Sequence, residues 1–572
     1  VIGCREPTAL VHDQEIAMRQ KYSTSVRFAM VALVAGLLVP HATSQLKKFA
    51  CAADEQLQQS FAQDYYHMGQ SIAVGRFNDD EFLDIAMGGY SRTSTGPTQI
   101  TPTAIFLGTG GTPAFRHRLT IRGTATFDGF GFSIAFIGDL NGDDCNELVV
   151  GAPRYDGTAG VDSGRVSIIF GEPLLDPDDP FVEAQDVVEV ADVQDLTFEG
   201  LVANEWFGAA VATARGADGS YLKELLIGAP GGGPVNDTTI AGTVYQVETP
   251  TMEVAGVLGA ALPGVAVGAL TTTGTPGISG SLGTGYWLTS HRLLHGADEG
   301  DCFGSAIAFV GNLDGVAGQE FLVGAPQYQG ELPNFTTKGP GYARLYKLTS
   351  ASLLIEFAGE QGANGDPPRG GEACGFSVAG GVILSDDDAV PDLLIGSPLF
   401  NVNDFGTGGD VHAGRVRAYS GADAAASTPT AVPVLFDDAP NDTVLVGAHG
   451  SDQFGYSVAG VPDLDDDTVG EVLIGAWQAE IDSSSTCTTG RLGDGGSATV
   501  HLAGQFPNAT EALTIFGEAV RDHLGRSVCA ADVFGTTGQP EIILSGLGWS
   551  LPTGPDEIGK GYVWDGDAVL AP

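Results

Sequence analysis

Residues 130–153 read FGFSIAFIGDLNGDDCNELVVGAP, and variants of this frame return six more times along the 572-residue chain. Each copy opens on a large residue and a glycine, runs through a short apolar strand into an acidic turn, and returns through a second strand to Gly-Ala-Pro or a variant. The copies at 207–230, 303–326, 374–398 and 454–477 keep the frame closely, and those at 68–90 and 524–546 keep it more loosely. Gly69, Gly131, Gly208, Gly304, Gly375, Gly455 and Gly525 mark the repeat starts, 62 to 96 residues apart. A loop of variable length then leads to a third strand such as GRVSIIFG (164–171). There Val166, Ile168 and Phe170 alternate with Arg165, Ser167 and Ile169, the period of two expected of a strand. A fourth strand, LTIRG (119–123) or LTIFG (513–517), enters the next copy.

Each repeat is therefore a small antiparallel sheet of four strands with both faces apolar. Such a sheet cannot cover its faces alone, so neighbours must stack, and radial closure leaves no open end. The expected fold is an all-β, seven-bladed β-propeller, closed by an N-terminal strand within 49–63 pairing with the last blade. An open β-solenoid is the structural alternative. The 83 glycines serve turns and close strand packing, and 43% hydrophobic against 17% charged residues excludes wholesale disorder.

The charge balance, 26 Lys+Arg against 71 Asp+Glu, gives a net −45. That field repels polyanions, so nucleic acid is not an expected partner, whereas cations and basic protein patches are. Residues 1–17 read as sequence upstream of a natural start at Met18. Residues 18–44 read as a signal peptide, with Arg19, Lys21 and Arg27 ahead of an apolar stretch from Phe28 to Val39 and a small-residue cleavage site at Ala42–Ser44. The propeller then occupies 45–572, and the localisation is secreted. Glycosylation tripeptides at Asn236, Asn334, Asn441 and Asn508 agree with this. Six cysteines follow Ser44, an even number whose spacing dictates no pairing. The apolar stretch 254–270 contains Pro263 and four glycines and is read as an inserted loop or a translated non-coding segment, so stable membrane insertion is not expected.

The frame resembles the FG-GAP repeat of integrin α-subunit head domains, over about residues 50–568. A phospholipase D specific for glycosylphosphatidylinositol anchors carries similar repeats. In integrin α chains the residues just after FG help form an aromatic cage that receives a basic residue from the β-subunit. The matching positions here are Gln70, Phe132, Ala209, Ser305, Phe376, Tyr456 and Arg526. Three are aromatic and one is itself basic, which puts a β-subunit-like partner in doubt.

The acidic turns present side chains at positions 1, 3, 5 and 9 and a carbonyl at 7, a set of oxygens suited to Ca2+. Two turns are complete: Asp139, Asn141, Asp143 and Glu147 with the Cys145 carbonyl, and Asp463, Asp465, Asp467 and Glu471 with the Val469 carbonyl. Three are weaker. Asn78, Asp80 and Asp84 follow Arg76 at position 1, whose guanidinium can neutralise the turn in place of a metal. Asn312, Asp314 and Glu320 flank Val316, and Asp386, Asp388 and Asp392 follow Leu384. The third and seventh turns are expected to be metal-free. Position 6, usually Gly in the family, is Glu81, Asp144, Ala317, Ala389 or Thr468. Affinity is therefore expected in the roughly 10⁻⁴–10⁻³ M range of extracellular modules.

Ser377 and Ser457 fall one residue short of a nucleophile elbow. The same slot holds Ser71, Ser133 and Ser527 in other copies and Ala210 and Ala306 in two. A residue that recurs in this way is structural, and no histidine motif or phosphate loop accompanies it. The expectation is no enzyme but a calcium-binding adhesion or matrix-recognition module for an extracellular protein or glycan. The alternatives are a propeller enzyme or phospholipase accessory domain acting at the axial channel, and a lectin.

Overall fold

In the computed structural model the described residues are 48–50, 53, 55–57, 67–89, 100–111, 114–171, 186–215, 221–232, 241–248, 268–269, 291–315, 319–327, 339–360, 371–381, 390–401, 412–426, 434–435, 443–464, 469–480, 494–502, 511–518, 521–534, 539–548 and 559–566. The signal-like segment, the asparagines of the four glycosylation tripeptides and most of 251–290 lie outside them. No helix among the described residues is long and apolar enough to cross a membrane.

The chain from Lys47 onward folds as a seven-bladed β-propeller. Blade two shows the plan: Ser133–Ile137, Glu147–Ala152, Arg165–Ile169 and Leu196–Glu199 pair in order as an antiparallel meander. The first strand of every blade packs against the first strands of the blades before and after it, and that of blade seven (Leu524–Ala531) packs against that of blade one (Met68–Gly75). Blade seven takes its outer strand from the N-terminal side: Glu55–Leu57 lies antiparallel on Lys560–Trp564, with Glu55 opposite Val563. This is the expected closure.

The glycines of the frame explain how the blades approach. The FG glycine has positive φ, 80–95°, in all seven copies. A Cβ added at Gly151 of the GAP end would lie 2.1 Å from the carbonyl oxygen of Gly208, the FG glycine of the next blade. The two motifs are thus halves of one blade-to-blade contact. Between the blades the core is dry. One cluster joins Val149, Ile168 and Phe198 of blade two to Phe207, Leu225 and Tyr245 of blade three, all essentially inaccessible.

Among the described residues, four blades carry a fifth, parallel strand on the outer edge. These are Asp186–Glu189 on blade one, Gly268–Ala269 on blade two, Val434–Leu435 on blade four and Lys48–Ala50 on blade six. Each comes from the stretch just ahead of the following blade's outer strand, so an edge that would offer unpaired backbone groups is covered by its neighbour.

Alternation of strand direction puts the FG and GAP ends of all blades on one face of the ring and the acidic turns on the other. The metal question belongs to the second face.

Candidate metal centre

The blade-two turn is built by its own side chains. Gly142 (φ +85°) and Asp144 (φ +69°) take the left-handed conformation, and their N–H groups donate to the two Asp139 carboxylate oxygens at 2.6 and 3.0 Å. Asn141 Oδ1 accepts from the Asp143 N–H at 3.0 Å, and Asp143 Oδ1 from the Cys145 N–H at 2.9 Å. Asn141 Nδ2 donates to the other Asp143 oxygen at 2.9 Å. These bonds coil the loop so that carboxylate oxygens of Asp139, Asp143 and Glu147 lie within 4.8 Å of one another.

Glu147 is fully buried. One of its oxygens accepts the Leu140 N–H, while Oε2 is buried without a hydrogen-bond partner. Burial, then the nearby carboxylates of Asp143 and Asp139, push its pKa well above the usual carboxylate range. Three acids and an unspent buried acceptor form a site that is costly when empty of positive charge. All-oxygen donors of this kind fit a hard divalent cation such as Ca2+, which Asp139, Asn141, Asp143 and Glu147 would hold with the Cys145 carbonyl at position 7.

Position 9 also has a duty that sequence spacing did not reveal. Asp84, Glu320, Glu471 and Glu541 accept the N–H at the start of their own turns, from Phe77, Leu313, Leu464 and Val533, at 2.6–2.8 Å. Asp84 and Asp392 also accept from Gly108 and Gly421 at the end of the third strand, at 2.9 and 3.1 Å. This carboxylate buckles the hairpin whether or not a metal is bound, which explains its presence in the seventh copy.

The remaining turns differ in what surrounds that buckle. In the first, Arg76 Nε donates to the Asp80 carbonyl oxygen at 3.0 Å, while Asn78 Nδ2 and the Phe82 N–H donate to the Asp80 carboxylate at 2.7 and 2.8 Å. In the fourth, the Gly315 N–H reaches Asn312 Oδ1 at 2.8 Å, and Asp314 is ion-paired with Lys347. Asp465 and Asp467 of the sixth turn and Asp386 and Asp388 of the fifth lie outside the described residues; Asp463, Val469 and Asp392 lie within them.

The opposite face is built from hydrogen bonds between blades, although Asp452 and Asp522 there each keep one buried oxygen without a hydrogen-bond partner. Ser71, Ser133, Ser377 and Ser457 each donate their hydroxyl to the carbonyl of the next FG glycine, Gly131, Gly208, Gly455 and Gly525, at 2.8 Å. Blade seven moves the hydroxyl to Ser545, which stands in the GAP-glycine slot and donates to Gly69 at 2.6 Å across the closure. A buried carboxylate two residues ahead of the FG pair recurs in six copies, Asp128, Glu205, Asp301, Glu372, Asp452 and Asp522. Asp301 accepts the N–H groups of Ala297 and Asp298 at 3.0 and 2.8 Å and the Tyr342 hydroxyl at 2.7 Å. Asp128 and Asp522 are bound in the same manner. The fixed D/E-x-F-G offset was readable in the sequence, although the turn acids drew the attention.

Of the post-FG residues, Phe376, Tyr456, Gln70 and Arg526 come together. The Phe376 and Tyr456 rings are 4.7 Å apart, and the Arg526 guanidinium stacks 4.4 Å over Tyr456 and 5.1 Å over Trp477. It also donates to Gln70 Oε1 at 3.1 Å, tying blade seven to blade one.

Residues 130–169 match the model of the FG-GAP repeat. The chain is a seven-bladed β-propeller with an FG-GAP repeat in its second blade. Integrin alpha-5 of Xenopus laevis is 32% identical over 174 residues, 30% of this chain and 14% of that one. Phosphatidylinositol-glycan-specific phospholipase D of Homo sapiens is 30% identical over 273 residues, 45% of this chain and 28% of that one. Integrin alpha ina-1 of Caenorhabditis elegans is 33% identical over 117 residues, 19% and 10% of the two chains. The FG-GAP propeller thus spans less than a third of the length of each of these relatives.

Proposed function

We propose that this FG-GAP propeller is a secreted, calcium-stabilised recognition module that binds an extracellular protein or glycan, as an adhesion-receptor head does, and performs no chemistry itself. The observation that carries the calcium part is the buried, unpartnered Glu147 Oε2 facing Asp139 and Asp143. The similarity to two integrin α chains supports the recognition part. The serines that resemble nucleophiles are engaged in holding blades together, which supports a non-enzymatic role. Arg526 already fills the aromatic cluster, which supports the view that no partner's basic residue is received there.

The longer match to the phospholipase favours a second reading, in which the propeller positions a catalytic domain on its substrate. One experiment separates the two. Immobilised propeller is exposed to extracellular-matrix extract and to vesicles bearing glycosylphosphatidylinositol-anchored protein, each with calcium and with chelator. Calcium-dependent retention of a matrix protein or glycan supports recognition, and retention of the anchored protein alone supports the second reading. Calorimetry with calcium alone tests the ion directly: one or more equivalents with Kd of roughly 10⁻⁴–10⁻³ M are expected. No heat and no change in melting temperature would remove calcium from the proposal.

A further inference from the structure

Two turns with acidic spacing already contain a cation of their own. The fourth is the sharper case. Its Glu320 is fully buried, one oxygen accepts the Leu313 N–H at 2.8 Å, and Oε1 is buried without a hydrogen-bond partner, as in blade two. Its Gly315 N–H bonds to Asn312 Oδ1 as the Gly142 N–H bonds to Asp139 Oδ1, so the loop is coiled the same way. The difference comes from the third strand. Lys347 ends the strand Tyr342–Lys347 directly opposite Glu320, and its ammonium is ion-paired with Asp314. In blade two the corresponding residue, one step beyond the Leu148–Ile169 pair, is Phe170, which brings no charge.

We infer that Lys347 is a built-in counter-ion that takes the place of a divalent metal in the blade-four hairpin, leaving a latent cation site of Asn312, Asp314 and Glu320 beneath it. An ammonium on a flexible stem supplies one charge and three donors at the point where a metal would supply two charges. Its field also opposes the effect of burial on Glu320, whose pKa burial raises first of all. Arg76 does a related job in the first turn, where its guanidinium folds over the loop onto the Asp80 carbonyl. These hairpins stay closed in any calcium concentration, whereas the blade-two hairpin responds to it. The inference takes its reference point from the calcium reading of blade two, but its test stands apart from it.

The full chain is titrated with calcium alone in a calorimeter, comparing wild type with Lys347→Met and Lys347→Arg. Lys347→Met is expected to bind one more equivalent than wild type, with Kd of roughly 10⁻⁴–10⁻³ M. Lys347→Arg, which keeps the charge, should match wild type. Adding Asp314→Asn to Lys347→Met should abolish the gain. Equal stoichiometry in Lys347→Met and wild type overturns the inference. Asp143→Ala is run in parallel: if it leaves wild-type binding unchanged while Lys347→Met still gains a site, the blade-two reading fails and this one stands. Should Lys347→Met unfold in chelator, recovery of its melting transition by calcium and not by added sodium reads the same gain, and no recovery overturns it.

Discussion

The two faces of the ring set their buried carboxylates in different company. On the FG face each acid is held by backbone N–H groups and often by a third-strand tyrosine, as Asp301 is by Ala297, Asp298 and Tyr342, and the arrangement recurs in six blades. On the turn face the position-9 acid keeps one oxygen for the hairpin and leaves the other unspent in blades two and four. The lesson is that neither acidic spacing nor an unspent oxygen alone identifies an ion site, since Asp452 and Asp522 on the FG face also keep one; further carboxylates beside that oxygen do, as Asp139 and Asp143 stand beside Glu147. A buried acid alone among backbone donors is a strut, and one clustered with other acids needs a cation, whether from solution or from a lysine.

Four measurements sharpen or break this contrast. The largest effect is expected where both faces depend on the same contact. In Gly151→Val the new Cβ meets the Gly208 carbonyl at 2.1 Å and Ser133 Oγ at 2.4 Å. Urea denaturation should show a loss at or beyond the upper end of the roughly 1–3 kcal/mol typical of overpacking. A neutral outcome would mean that the blades do not meet there. Next, Asp522→Ala strips the partners of the Glu518 N–H and the Tyr562 hydroxyl. The cost should be about 1–3 kcal/mol for the buried groups left unpaired, equal in calcium and in chelator. Asp143→Ala on the other face should behave differently. At calcium ten to a hundred times Kd it should forfeit about 1.4–2.7 kcal/mol of ligand-linked stability beyond its loss in chelator, where only the bonds from the Cys145 N–H and Asn141 Nδ2 go. Equal losses in both conditions would erase the distinction between the faces. The smallest mutational effect is Ser133→Ala, which removes one blade-to-blade hydrogen bond for about 0.5–1.5 kcal/mol without touching calcium dependence.

A pH scan in chelator supplies an independent check on the buried acids, those of the turn face, such as Asp84 and Glu541, being raised in the same direction as those of the FG face. Burial raises Asp452 and Asp522 to about 6. The folded state then binds more protons than the unfolded state between their ordinary range near 4 and about 6. Stability from these groups therefore grows as pH falls through 6 and is lost as pH rises through it. The melting temperature should climb modestly from pH 7 to pH 5, and a steady fall over that interval would contradict the burial of these acids.

Much of the fold was legible because packing demands it. The FG and GAP glycines sit where two backbones touch, so their repetition in the sequence is the ring contact itself, and the strand that closes the last blade followed from the same count. The serine slot was legible for the same reason. The blade-two turn was legible as spacing, but its decisive feature, an orphaned Glu147 oxygen, is a matter of geometry. Lys347 was beyond reach: its place opposite Glu320 depends on the register of a third strand reached through a loop of variable length. Arg526 was visible as a basic residue in a cage position, but its stacking on Trp477 joins two different blades. The parallel edge strands, as short as Gly268–Ala269, have no pattern of their own to read.

The pairing of Glu55 with Val563 and the bond from Ser545 to Gly69 across 476 positions of chain have a consequence for biogenesis. A ribosome delivers residue 55 long before its partner exists, so this strand waits while six blades assemble behind it. Throughout synthesis the nascent ring is a horseshoe with two sticky ends, and only the final stretch of polypeptide removes them. Contacts so distant along the chain form slowly, and a translation product stopped before residue 560 would keep both ends exposed to chaperones and to other unfinished copies.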